Sequence, residues 1–278
     1  MQKYLSLGLY LHKMRIAILT TLFLVGCSDD VPKSQHVEAV KKTIPPSTFE
    51  LFNPELNTSA KEIALDYVSQ IGSDLNQARI EIDNFQSSIR IFIDDTSDEN
   101  LDISRQAWLS AHNAYELTAL HRYFISQFLE EQSSLTLLQL QYQINHWPIV
   151  PGYIDYVSGY PDSGIVHDIN VNLDVGTLRE QHGAFDISEV TLGFHVIEFL
   201  LWGFDIDTGT RPAVDYNAVL ELSPEQLASG YSLEQLSNNR RRLFLNVVAE
   251  TLTEDFRELQ SFWLAEAPNI RQQVETAS

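Results

Sequence analysis

The sequence contains one cysteine among 278 residues, Cys27. An intramolecular disulfide is therefore impossible, and so is a metal site built from several cysteines. Runs of apolar residues long enough to span a bilayer are missing as well, since the apolar segment 16–25 is too short for a transmembrane helix. We also find no segment in which polar and apolar residues alternate as they do in β-strands. The fold must therefore be stabilised by the packing of helices.

Positive charge is scarce. Lys and Arg number 18 against 38 Asp and Glu, which gives a formal net charge of −20. A surface this acidic repels phosphate backbones, so we expect no nucleic-acid partner. It suits an exported protein or one that meets cations, although solubility alone would also explain it. The hydrophobic fraction of 44% is typical of a folded globular protein.

The first residues have the pattern of a bacterial lipoprotein signal peptide. Arg15 precedes the apolar segment 16–25, and Leu24-Val25-Gly26-Cys27 looks like a lipobox. We expect residues 1–26 to be removed and Cys27 to carry the lipid that anchors the chain to a membrane. An ordinary signal peptide, or a short buried helix that ends in cysteine, is the alternative.

Residues 27–46 contain Pro45, Pro46 and many polar groups, which predicts a flexible tether. By resemblance to sorting signals, Ser28 after the lipidated cysteine favours the outer membrane over the inner one. Either Met1 or Met14 can be the true start, because residues 1–13 only lengthen the basic region of the signal peptide.

The remaining residues, 47–278, show the 3.6-residue periodicity of helices with one buried face. The sequence predicts an all-α fold of antiparallel helix bundles. The expected helices cover residues 59–71, 75–93, 98–128, 186–203 and 232–264. The segment 143–183 is rich in proline and glycine but also carries aromatic residues, so we expect an ordered segment packed on the helices.

The most informative helix runs over residues 190–203 and is apolar nearly all round, which predicts that it is buried. His195 and Glu198 are three residues apart and therefore share one face, which also carries Trp202. Gly193 weakens a helix, so its presence indicates close approach of another backbone or of a ligand.

Two interpretations of His195 and Glu198 stay open. They can form a hydrogen-bonded core pair, or they can bind a divalent metal or iron, although two side chains are too few for a firm site. The spacing differs from that of zinc peptidases. Val196 follows His195, so the HExxH pattern is absent, and Phe199 follows Glu198, so the inverted pattern is absent too.

Over roughly residues 50–270, the sequence resembles the imelysin family. The residues from Gly193 to Glu198 resemble its Gly-x-His-x-x-Glu signature. Four further segments match in the same order. They are Trp108 with Tyr115; Asn145-His146-Trp147-Pro148 with Tyr153-Ile154-Asp155; Arg211-Pro212 with Asp215-Tyr216; and Arg241-Arg242.

The resemblance implies an all-α fold of two helix-bundle halves, which we place at residues 47–142 and 186–278, joined by residues 143–185. It also implies that the helix with Gly193, His195 and Glu198 lies near the cleft between them. Members of the family are bacterial envelope proteins, often associated with iron uptake. Some are classed as metallopeptidases, and others are regarded as binding proteins.

The chain departs from the family pattern in the helix after Trp108. Thr118 and Arg122 match, but His112 and Ala119 stand where the family has an arginine and a glutamate. His112 is therefore a candidate replacement group and a speculative third metal ligand. The alternative is a histidine at the edge of the core.

Three functions are compatible with these features. The chain can be a metal- or ligand-binding accessory lipoprotein in iron acquisition, with iron-transport or redox proteins as partners. It can be a metallopeptidase that uses His195 and Glu198. It can also be a structural lipoprotein without a ligand. We favour the first, because the motif lacks an evident catalytic base and a third ligand. Asn145, Trp147 and Trp202 are expected near the cleft.

Overall fold

The computed structural model describes residues 54–203 and 211–277 of the chain, with side chains from residue 58 onward. The predicted signal peptide, lipidated Cys27 and tether lie outside these residues, as does most of the predicted loop 204–214. Within the described part, no helix is both long and apolar enough to cross a membrane.

Helices form the architecture, and the described residues contain no β-strand, only an isolated bridge between Val157 and Tyr160. The predicted all-α class is confirmed. The α-helices are α1 Pro54–Asp94, α2 Asp98–Leu117, α3 Ala119–Ser126, α4 Glu131–Asn145, α5 Pro151–Ile154, α6 Val175–Gln181, α7 Phe194–Trp202, α8 Pro224–Ala228 and α9 Ser237–Thr276. Two short 3₁₀ helices cover Ala213–Tyr216 and Leu233–Gln235.

Helix α1 is a single helix, so the predicted break between residues 71 and 75 is wrong. Gly72 lies between the two predicted helices, and a Cβ at this position would lie 3.2 Å from Nε1 of Trp263 on α9. Glycine therefore allows α1 and α9 to pack closely there. From residue 68 to residue 92, the buried apolar residues of α1 recur every three or four positions: Val68, Ile71, Leu75, Ala78, Ile82, Phe85, Ile89 and Phe92.

Helices α2 and α9 both pack along α1 and enclose the core with it. Helix α9 contributes a matching apolar stripe: Phe244, Val248, Leu252, Phe256, Leu259 and Trp263. The N-terminal and C-terminal segments of the domain thus share one core. The boundaries that we assigned to the two bundle halves stay a prediction.

The predicted helix over residues 98–128 is interrupted once, at Thr118 between α2 and α3. The interruption leaves the carbonyl of Tyr115 available, and two side chains bond to it. Thr118 Oγ1 donates to this oxygen at 2.7 Å, and Arg122 Nη1 donates to it at 2.6 Å. The guanidinium of Arg122 also lies 3.9 Å from the centroid of the Tyr115 ring. Thr118 and Arg122 therefore stabilise the interruption between α2 and α3 and do not line a cleft.

The helix that was expected to start near residue 186 starts at Phe194 instead. His182 explains the difference, since its Nδ1 accepts hydrogen bonds from the backbone N–H groups of Thr191 and Leu192, each at 3.2 Å. These groups are held in an irregular turn before α7. The segment 143–183 is ordered as predicted, carries α5 and α6, and buries Ile154 and Leu178.

Candidate functional site at the His195–Glu198 cleft

Helix α7 is largely enclosed by the rest of the domain, as its mostly apolar sequence predicts. Its buried side chains lie on all sides: Phe194, Val196, Ile197, Phe199, Leu200 and Leu201. His195 and Glu198 are the two polar side chains on this helix and are only partly buried. They mark the one face of α7 that is not covered.

Gly193 sets the position of this face. Its φ angle is +95°, and a Cβ at this residue would lie 2.3 Å from the carbonyl oxygen of Gln143 and 2.6 Å from that of Ile144. The end of α4 therefore lies directly against the start of α7. The close approach that the sequence predicted for Gly193 is a backbone contact, and it brings Trp147 beside His195.

His195 and Glu198 form a direct pair, with 2.7 Å between His195 Nδ1 and Glu198 Oε2. An ionised carboxylate can only accept, so Nδ1 carries the hydrogen and Nε2 is left for another partner. The helix was predicted to be buried, but its two polar side chains are only partly so. The side chain of Glu198 is 41% exposed, against 14% for His195. Water reaches the carboxylate because the pair lines a cleft.

The cleft has a volume of about 440 Å³. Its described walls are mostly apolar, and His195 and Glu198 are the ionisable groups among the described lining residues. The lining residues are Trp147, Ile149, Pro151, His195, Glu198, Phe199, Trp202 and Gly203. The centroid of the Trp147 ring lies 4.9 Å from that of His195. The structure thus brings together four residues that the sequence proposed for this site: Trp147, His195, Glu198 and Trp202.

His112 lies behind this wall rather than in the lining. Its ring stacks on Trp108 with 4.7 Å between centroids, and 5.3 Å separates it from the ring of His195. His112 Nε2 donates to Asn145 Oδ1 at 3.0 Å, because the Asn145 amide nitrogen donates to Glu116 at 2.6 Å. Burial lowers the pKa of His112, and the nearby His195 lowers it further, against the Asn145 hydrogen bond. His112 and Asn145 therefore support His195 from the side of α2 and α4.

Two residues fix the ends of α7. Trp108 Nε1 donates to the carbonyl of Phe194 at 2.9 Å, at the start of the helix. Arg105 donates to the carbonyl of Leu201 at 2.8 Å near its end, and its guanidinium lies 5.7 Å from the Trp202 ring. The sequence reasoning missed Arg105. A charged residue three positions before Trp108, on the buried face of α2, was the available signal.

A buried ionic cluster, which we call the Asp155 cluster, lies beyond the C-terminal end of α7. Asp155 is fully buried and accepts from Arg241 Nε at 2.5 Å, from Arg211 at 2.8 Å and from His167 at 3.2 Å. Burial alone would raise the pKa of Asp155, but these hydrogen bonds and the two arginine charges hold it well below its usual range. Three of the segments that carry the family resemblance thus meet in a structural cluster.

His182 supplies a testable pH dependence. Burial lowers the pKa of His182 to about 4, from the usual histidine value of 6.5. The folded state therefore prefers the neutral imidazole, and stability present above the unfolded pKa is lost as pH falls toward the folded pKa. We expect the free energy of unfolding to drop by about 2 kcal/mol between pH 7 and pH 5 on account of this group.

Urea denaturation at both pH values measures this effect. The His182→Asn variant keeps an acceptor near the position of Nδ1 but does not titrate. Its free energy of unfolding should fall less than that of the wild type over the same interval. An identical fall in both proteins would show that His182 does not carry this pH dependence.

Among the described residues, the donor set at the cleft is smaller than that of a typical metal site. No group of three His, Cys, Asp or Glu side chains that could hold a metal occurs in residues 54–203 and 211–277. His195 and Glu198 supply two donors, and His112 is directed to Asn145. Stable structural and catalytic metal sites generally use three or four protein ligands.

The fold and the site define a class: an all-α domain in which a buried Gly-x-His-x-x-Glu helix presents its histidine and glutamate to a cleft. Comparison with family models agrees, since the imelysin model, of peptidase family M75, matches residues 72–278. The chain belongs to the imelysin family. The search of curated proteins found no match for it.

Proposed function

We propose that this chain is a ligand-binding accessory lipoprotein of the bacterial envelope and that its ligand occupies the cleft beside His195 and Glu198. The observation that carries the proposal is the pairing of these two side chains in the wall of an otherwise apolar cleft of about 440 Å³. Ligand pockets typically combine apolar walls with a few polar groups that orient the ligand. A purely structural pair would need no open cleft beside it.

The biological role that we propose is iron acquisition. The resemblance to imelysin-like proteins supports it, together with a net charge of −20, which favours cationic ligands. The proposed partners are iron-transport or redox proteins of the envelope. If a divalent metal or iron binds in the cleft, His195 Nε2 and Glu198 would hold it, and the ligand or water would supply the remaining donors.

Growth under iron limitation tests this role. In a strain that lacks the chain, wild type and Glu258→Gln should restore growth, because Glu258 is an exposed carboxylate on α9. Glu198→Gln should restore little, at equal protein levels on an immunoblot. Full restoration by Glu198→Gln would contradict the proposed role of the cleft.

Membrane attachment through Cys27 is the second part of the proposal. The lipobox pattern ends at this residue, and lipoproteins carry more than one acyl chain, which makes anchoring stable. Cys27→Ser should move the protein from the membrane fraction to the soluble periplasmic fraction. An unchanged distribution would contradict lipidation, and separation of inner from outer membranes would test the proposed outer-membrane location.

The alternative function, a metallopeptidase, would use the same two side chains. We expect no efficient general peptidase activity, because Val196 stands where zinc peptidases place their catalytic glutamate and a second motif histidine is missing. Hydrolysis of casein or insulin measures this. Cleavage at ordinary enzymatic rates that chelator and Glu198→Gln both abolish would overturn the expectation.

A further inference from the structure

We infer that the ligand of the cleft is a small organic cation, with a substituted ammonium group held between aromatic rings and the Glu198 carboxylate. This inference rests on the proposed ligand-binding function of the cleft and specifies the chemistry of the ligand. Three features of the cleft support the inference: its aromatic walls, the negative charge of Glu198 and the contacts that orient Trp202.

Among the described residues, the walls provide aromatic surface around the Glu198 carboxylate. Trp147, Phe199 and Trp202 contribute three rings, and Ile149 and Pro151 complete the apolar lining. Trp147 contacts the His195 ring on one side and is still 64% exposed, which leaves much of its aromatic surface open to the cleft. Aromatic faces attract cations that lie within about 6 Å of the ring centroid, and tryptophan does so most strongly. Sites for quaternary ammonium groups use such cages.

The charge of the cleft selects a cation over an anion. Glu198 is the carboxylate in the lining, and it uses Oε2 to accept from His195. Within the described part of the chain, no hydrogen bond to Oε1 is present. An anionic ligand would meet this carboxylate and the overall charge of −20. A neutral apolar ligand would displace water from Glu198 without compensating its charge.

Trp202 already contacts one cation in the structure. The guanidinium of Arg105 lies 5.7 Å from the centroid of its ring, and Arg105 is paired with Asp102 at 2.7 Å. The ring is therefore held in place by a neutralised ion pair on the side of α2, while it also lines the cleft. This arrangement orients an aromatic surface before a ligand arrives, and preorganised surfaces bind with a smaller loss of entropy.

A bare metal ion fits these features less well than an organic cation does. It would use the two donors of His195 and Glu198 and gain little from three aromatic rings. A substituted ammonium group needs no fixed number of donors, and its methyl groups match the apolar walls. The volume of about 440 Å³ also lies within the usual range for small-molecule sites.

Calorimetric titration of the full chain in detergent tests the inference, with choline as the probe. The control ligand is 3,3-dimethylbutan-1-ol, which has the same shape but carbon in place of the charged nitrogen. Choline should bind about tenfold more tightly, or better, than the neutral analogue. Trp147→Leu and Glu198→Gln should each weaken choline binding by about tenfold and leave binding of the neutral analogue nearly unchanged.

Glu258→Gln serves as the matched control and should bind choline as the wild type does. Trp147 is largely exposed, so its replacement should leave the helical circular dichroism spectrum intact. Equal affinities for choline and its neutral analogue would overturn the inference, as would binding that neither variant changes. If choline does not bind but Glu198→Gln still fails to restore iron-limited growth, the inference fails and the proposed function stands. If choline binds as expected and Glu198→Gln restores growth, the cleft binds a ligand but the proposed role in iron acquisition fails.

Discussion

Replacing Gly193 with alanine should destabilise the domain by about 2–5 kcal/mol. Gly193 has a φ angle of +95°, which costs an L-residue about 1–2 kcal/mol. The added Cβ would also lie 2.3 Å from the carbonyl oxygen of Gln143, so the end of α4 or the start of α7 would have to move. Displacements of packed elements of this kind typically cost a further 1–3 kcal/mol, roughly.

The chain offers a matched control for this substitution. Gly159 also has a positive φ angle, +82°, but a Cβ there would meet nothing within 4 Å. Gly159→Ala should therefore cost only about 1–2 kcal/mol, the backbone term alone. Urea denaturation of both variants gives the comparison. Similar losses in the two proteins would show that the contact between α4 and α7 does not require glycine.

Removal of the charge at Asp155 should have an effect of comparable size. Asp155→Asn leaves the side chains of Arg211 and Arg241, which are 1% and 3% exposed, without their buried counter-charge. Breaking a buried ion pair from one side typically costs about 3–5 kcal/mol. Asp155→Ala should cost at least as much, because it also removes the hydrogen-bond acceptor.

Asp162 supplies the control for Asp155. Its side chain is 93% exposed and lies 4.0 Å from His167, so it is near the same cluster but in water. Asp162→Asn should change the free energy of unfolding by less than about 0.5 kcal/mol. Equal stability of Asp155→Asn and wild type would contradict the assigned role of the cluster.

The pKa of Asp155 in the folded protein lies below the usual aspartate range. The stabilisation by its charge should therefore be complete above that range and should be lost only as the pH falls toward the lowered pKa.

The periodicity of the sequence predicts helices well and their ends poorly. The stripe from Val68 to Phe92 identifies a buried face, but nothing local shows that Gly72 accommodates Trp263 rather than ending a helix. The start of α7 is similar. His182 holds the irregular turn before α7 by accepting hydrogen bonds from Thr191 and Leu192. Gly193 lies against the end of α4, which is distant in sequence. Neither kind of contact produces a periodic pattern in the sequence.

Much of the candidate site follows from the sequence, because three-residue spacing places His195 and Glu198 on one face of a helix. The exposure of Glu198 does not follow, since it depends on the walls contributed by Trp147 and Pro151 from another segment. The Asp155 cluster is only partly visible. The sequence shows its charged members in separate segments, and tertiary packing brings them together.

The most direct test of the central claim, that the cleft holds a ligand, is native mass spectrometry of the protein extracted from membranes of iron-limited cells. Wild type, Glu258→Gln and the double variant Trp147→Leu/Glu198→Gln would be compared under the same non-denaturing conditions. We predict one additional bound species on wild type and on Glu258→Gln that is lost from the double variant. The absence of any bound species from all three proteins, or equal occupancy in the double variant, would contradict the claim.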